Sequence, residues 1–220
     1  MLVIAVDGFS GAGKGELSRG LAKTLGLAFL DTGLIYRAVA WKGLSQDCDL
    51  TDPQALAKIV SSLSQNDLKK PELRSDTVAQ MASKVAAIEV VRSALLGFQR
   101  DFAENPPANK CGVVLDGRDI GTEILPHADV KFFVTARPEI RATRRFKELK
   151  ARGVACTYDS VLQEMQKRDA RDQSRAVSPL KAAADAYIID TSDFTIDEMV
   201  ETAVKFVQQR MQDTEKAEER

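Results

Sequence analysis

Apolar residues along this chain gather in five short runs, with longer stretches of helical period between them. The runs are LVIAV (2–6), LAFLD (27–31), GVVLD (112–116), VKFFVTA (130–136) and AYIID (186–190). Each has the length and the unbroken apolar character of a strand buried on both faces. Behind the first, Leu17, Leu21, Ala22 and Leu25 share one face of a helix. Strands alternating with helices predict an α/β fold, a five-stranded parallel sheet flanked by helices. The last helical pattern runs from about Ile196 to Met211, and the polar end QDTEKAEER is expected to fray.

The span 44–109 interrupts the alternation and reads as a helical insertion between the second and third strands, leaving a core of 1–43 and 110–220 in a single domain. It holds two helix-like stretches, ALAKIVSSL and TVAQMASKVAAIEVVRSALLGFQRDF, joined by the polar connector SQNDLKKPELRSD. A second break, ELKARGVACTYDS (148–160), lies between two arginine-rich helical patterns and has the character of a mobile lid.

The link from the first strand to its helix carries the most specific chemistry. Gly8 to Lys14 fit G-x-x-x-x-G-K. In such a loop Gly8, Phe9, Ser10, Gly11, Ala12, Gly13, Lys14, Gly15 and Glu16 turn backbone N–H groups toward an anion, and the lysine ammonium reaches the β- and γ-phosphates. This predicts nucleoside triphosphate binding and a fold of the P-loop NTPase type. The hydroxyl residue that usually follows the lysine is replaced by Gly15, and Glu16 comes next.

Charge locates the rest of the site. The net charge is −1, so no global field attracts nucleic acid, yet eight of the sixteen arginines fall between Arg137 and Arg175. A local cationic cluster in a near-neutral chain suits a small anionic ligand. In QKRDARDQSR, helical spacing puts Arg168, Arg171, Asp172 and Arg175 on one face, three guanidinium forks around one carboxylate. Asp116 ends the third strand, where a phosphate-loop enzyme places the acid that orients Mg²⁺ or its waters, and Arg118 follows after a glycine. Asp31 and Thr32 are placed to cap a helix beginning near Gly33, with Arg37 one turn on. The single histidine, His127, reads as a turn residue, and phosphoryl transfer to an oxyanion needs no histidine base.

The remaining features exclude more than they assign. No apolar run approaches a membrane span, and the N-terminus lacks a basic n-region. Cys48, Cys111 and Cys156 are far apart, odd in number and without metal-ligand spacing, which fits a reducing cytosol. A nucleotide-operated switch that reads guanine would carry N-K-x-D; here Asn109-Lys110 is followed by Cys111 and Gly112. Another phosphate-loop kinase, acting on AMP, shikimate or a sugar acid, stays open on the residues alone.

IAVDGFSGAGKG, LDTGLIYRAVA, ASKVAAIEVVRSALLGFQRDF, DGRDIGTEILPHADVKFFVTA, RRFKELKARG and RDARDQSRAVSPLKAAADAYIIDTS occur in this order over nearly the whole chain. In that order they resemble the bacterial-type cytidylate kinases, a branch of the nucleoside monophosphate kinases. The resemblance implies a parallel sheet with a nucleotide-monophosphate-binding insertion and a lid. It implies a cytoplasmic monomer that transfers the γ-phosphoryl of ATP to CMP or dCMP with Mg²⁺. It places Thr32 toward the acceptor, and Arg37, Arg92, Arg118 and Arg175 at its phosphate. It assigns Ser83, Arg92 and Asp172 to cytosine, and Asp119 and Arg168 to the sugar region. Lys14, Asp116, Arg118, Arg171 and Arg175 are the catalytic candidates, with Asp116 holding the metal through water. Two features depart from the resemblance. Glu16 stands where a Thr or Ser is usual, and SSLSQNDLKKPELRSD replaces an extended β-rich piece of the insertion.

Overall fold

The computed structural model describes residues 1–64 and 66–218. Its five strands, β1 (Leu2–Gly8), β2 (Ala28–Asp31), β3 (Gly112–Asp116), β4 (Val130–Thr135) and β5 (Tyr187–Asp190), form one sheet in the order β2-β3-β1-β4-β5. All four pairings are parallel, as the unbroken apolar runs predicted. β1 lies at the centre, between β3 and β4, so the chain leaves the middle of the sheet into the glycine loop. At this end Val6 pairs with Asp116, Asp116 with Asp31, and Gly8 with Val134.

Helices cover both faces. On one, Ile4, Val6, Phe132 and Val134 pack against Leu17 and Leu21 of α1 (Lys14–Thr24) and Met199, Ala203 and Val207 of α8 (Ile196–Glu218). α1 and α8 approach so closely that a Cβ on Gly20 would stand 2.4 Å from Val200 Cγ2. On the other face, Ala5, Val113 and Leu115 meet Ile120 and Ile124, from a π-helical turn (Ile120–Ile124) after β3, and Ala103. α8 continues helical past Met211 to Glu218, so the polar tail extends the helix where fraying was expected; the last two residues of that tail lie outside the described ones.

Between β2 and β3 run α2 (Thr32–Ser45), α3 (Pro53–Ser61), two 3-10 turns, α4 (Asp76–Val85) and α5 (Glu89–Glu104). Ile35, Val39, Leu56, Val85, Val91 and Leu95 give these helices a core of their own. The long apolar stretch from Thr77 is two helices, parted where Ile88 turns extended at φ −91°, ψ 119°. In the connector, Asp67 accepts from the Ser64 amide at 2.8 Å and from Lys42 Nζ at 3.0 Å, which ties the shortened segment to α2. α6 (Pro138–Ala151) and α7 (Tyr158–Ser174) form an antiparallel pair over Ala142, Leu149, Val161 and Met165, joined by the 152–157 segment of the expected lid. Among the described residues no helix is long and apolar enough to cross a membrane.

Candidate active site

A cavity of about 640 Å³ opens at the C-terminal edge of β1 and β3, as open α/β sheets dispose their ligand sites. Its walls come from the glycine loop, the start of α2, α4, the turn after β3, and α6 and α7.

The loop is shaped by glycines at positive φ, where a side chain is strained. Gly8 has φ 139°, and a Cβ there would stand 1.9 Å from the Val134 carbonyl oxygen. Gly13 is the left-handed cap of α1 at φ 93°. The N–H groups that open α1 therefore face the cavity with the positive end of the helix dipole. From behind, Arg141 donates to the Ser10 carbonyl at 3.2 Å, pairs with Asp169 at 2.7 Å and covers the Phe9 ring. Thr191 Oγ1 donates to the Ala12 carbonyl at 2.8 Å. Neither support is visible in the sequence, because both partners are distant in the chain.

Lys14 is buried, with Nζ donating to the Phe9 carbonyl at 3.0 Å. Burial, with Arg118 nearby, lowers its pKa to about 7, while Asp116 acts in the opposite sense. Burial likewise raises Asp116 to about 6 against the pull of Lys14. A Cβ on Gly15 would lie at ordinary contact distance, 3.6 Å, from Asp116 Oδ2, which places the acid beside the first turn of α1. Among the described residues no three acids, cysteines or histidines gather to cage a metal. One buried carboxylate beside a phosphate-binding loop fits Mg²⁺, which keeps several waters and takes its other ligands from substrate phosphates.

Opposite the loop, Ser83 Oγ donates to Asp172 Oδ1 at 2.8 Å, and Arg118 Nε donates to Asp172 Oδ2 at 3.2 Å. Arg168 lies 3.8 Å from the same carboxylate. Burial works to raise Asp172, but Arg118, Arg168 and the Ser83 hydroxyl outweigh it and hold the acid below its ordinary value. Asp119 is clasped by Arg92, and by Arg175 at 3.4 Å. The Arg92 guanidinium also lies 5.7 Å from the centre of the Tyr36 ring.

Of the residues singled out from sequence, Ser10, Gly11, Gly13, Lys14, Gly15, Glu16, Thr32, Arg37, Ser83, Arg92, Asp116, Arg118, Asp119, Arg168, Asp172 and Arg175 line this cavity. Gly8, Phe9 and Ala12 shape the loop from outside it, and Arg171 reaches Ser83 Oγ at 3.2 Å without joining the wall. Three local expectations change. Asp31 alone caps α2, accepting from the Leu34 amide at 3.2 Å, while the Thr32 hydroxyl donates to the Asp116 carbonyl at 2.8 Å. α7 ends at Ser174, so Arg175 enters the site from an extended residue (φ −61°, ψ 140°) and not from the helical face it was expected to share. Glu16 turns to Arg19, 2.6 Å away, with about half its side chain exposed, yet it still edges the cavity. His127 sits in an exposed turn away from the site.

A phosphate loop, a buried acid beside it and an arginine-ringed Ser–Asp pair facing it make a two-ligand site. A model of the family described as cytidylate kinase matches residues 4–209. The chain belongs to the cytidylate kinase family. A cytidylate kinase of Paramagnetospirillum magneticum is 51% identical over 205 residues, covering 93% of this chain and 97% of that one. One from Bradyrhizobium sp. is 46% identical over 207 residues, covering 94% and 96%. The fold extends to a solved, uncharacterized protein of Eubacterium ventriosum at TM-score 0.55 and 15% identity, covering 94% of this chain and 99% of that one. As a member of the family the chain is an ATP-dependent phosphotransferase.

Proposed function

We propose that this kinase transfers the γ-phosphoryl group of ATP to CMP or dCMP. The observation that carries the reading is the Ser83–Asp172 pair, held ionised and hydrogen-bonded in the same cavity as Lys14. Cytosine presents its N4 amine as a donor, which an ionised carboxylate accepts. Uracil presents an acceptor at that position, which would face the carboxylate with no proton to share.

The donor phosphates rest on the loop amides and Lys14. Its base sits in the adjoining cavity of about 320 Å³, lined by Phe194, Thr195, Ile196, Met199 and Arg144, which meets the main site at Gly13 and Glu16. Asp116 is the residue to orient hydrated Mg²⁺. Mg²⁺, when bound, would supply positive charge that offsets the charge developing on the transferred group. Arg37, Arg118 and Arg175 hold the acceptor phosphate in line. Arg144, Arg145 and Arg152, from α6 and its C-terminal end, close the site against water and so limit ATP hydrolysis. The acceptor is already an oxyanion, so no general base is required.

A coupled assay with CMP, dCMP, UMP and AMP tests the reading. Transfer to CMP and dCMP well above the other two is expected. Preference for AMP, or transfer to none, would reject it.

A further inference from the structure

The 3-10 turn Pro71–Arg74 belongs to the connector to which the sequence pattern assigned no role. It ends on Arg74, whose side chain lines the main cavity and is exposed. The Arg74 side chain makes no hydrogen bond and no ion pair with any described residue. Of the other guanidiniums of the cavity wall, Arg168 lies 3.8 Å from Asp172 with its buried Nε unbonded, and the rest are engaged by Asp119, Asp172, Asp76, Glu148 or Glu16, or by backbone oxygens. An arginine that lines an anion site with its fork unengaged has its donors available for a ligand.

Its backbone, by contrast, is fixed. Leu73 is 1% exposed, and its carbonyl accepts from Arg37 Nη1 at 2.8 Å. Arg37 therefore holds the peptide that carries Arg74 and aligns the two residues on one side of the cavity. Burial lowers Arg37 below its ordinary value; Asp31 opposes this, and Arg145, Arg118 and Arg74 add to it. These like charges converge on one region, and an anion of charge near −2 between them relieves that repulsion.

We propose that Arg74 is a direct ligand of the acceptor's phosphate, contributed by the insertion and acting beside Arg37. The assignment rests on the reading of this cavity as the CMP site. It gives the connector a task, because the turn that replaces a longer segment also carries a phosphate-binding fork. The Arg74 side chain is exposed and pairs with no described residue, so its removal leaves the fold intact.

Calorimetry on Arg74→Ala and Arg74→Lys, with CMP and with cytidine, separates phosphate binding from base binding. For Arg74→Ala, CMP affinity falls about tenfold or more, cytidine affinity stays within twofold, and the thermal midpoint is unchanged. Arg74→Lys recovers part of the loss, since an ammonium restores the charge but not the fork. In steady state the KM for CMP rises and the KM for ATP does not. CMP affinity within twofold of wild type, equal losses for CMP and cytidine, or a rise confined to the ATP KM would overturn the proposal. Wild-type enzyme that does not phosphorylate CMP would instead reject the substrate reading, and this one with it.

Discussion

Ser83 and Asp172, 89 positions apart, share a 2.8 Å hydrogen bond that joins α4 to α7 across the cavity. It couples the insertion to the arginine-rich helix and orients the Asp172 carboxylate, whose Oδ2 accepts from Arg118. Replacing Asp172 by Ala removes an ionised acceptor worth about 1.5–3 kcal/mol in a buried hydrogen bond. The kcat/KM ratio of CMP over UMP is expected to fall about tenfold or more. An unchanged ratio would remove Asp172 from base recognition.

Glu16 places a carboxylate at the meeting of the two cavities, paired to an exposed Arg19. Because both partners are half exposed, the pair adds little stability. Its charge nevertheless opposes the donor phosphates. Glu16→Thr should lower the KM for ATP about three- to tenfold, leave the KM for CMP unchanged and move the thermal midpoint little. If the ATP KM stays put, Glu16 serves only the helix dipole.

Asp7 gives a pH signature. Burial raises it from 3.8 to about 7, even though the amides of Ile120 and Gly121 each donate to it at 2.8 Å. Between those values the folded chain holds a proton that the unfolded chain has lost. The contribution of Asp7 to stability is therefore fully present below pH 3.8 and is lost as pH rises through about 7. In urea titrations, the stability of wild type minus that of Asp7→Asn should decline across this window by a few kcal/mol, since each tenfold change in proton affinity is worth about 1.4 kcal/mol. A difference that does not vary with pH would mean that Asp7 does not titrate there.

At Gly20 two effects oppose each other. Alanine gains about 1 kcal/mol of helix propensity over glycine. Its Cβ, however, would meet Val200 Cγ2 at 2.4 Å and Cγ1 at 2.9 Å, and a β-branched side chain on a packed helix has little room to turn. The clash wins, and Gly20→Ala should destabilise by about 1–2 kcal/mol. Equal or higher stability in the variant would show that α8 yields without cost.

The five strands and the phosphate loop were legible because each is written locally, in an unbroken apolar run or in glycines at fixed spacing. What escaped was written across the chain. Asp7 directly follows the first apolar run, and its partners lie 113 and 114 residues away. Arg74 was one cation in a polar connector, and nothing nearby showed that α2 anchors its turn. The break at Ile88 has no glycine, proline or side-chain cap to announce it. Arg175 matched the helical period of α7 but lies beyond its end, where the Leu180 amide donates to the Asp172 carbonyl at 2.7 Å.

The parallel pairing of Val6 with Asp116 has a consequence for how this enzyme can change. Val6 and Asp116 stand on neighbouring strands at a sheet spacing of about 4.8 Å, set by backbone hydrogen bonds, so the root of the glycine loop and the acid proposed to orient the metal keep a fixed separation. Much of the proposed acceptor wall comes instead from α2, α4 and α7, whose residues can be exchanged, shortened or re-aimed while the spacing of the two strand ends stays the same.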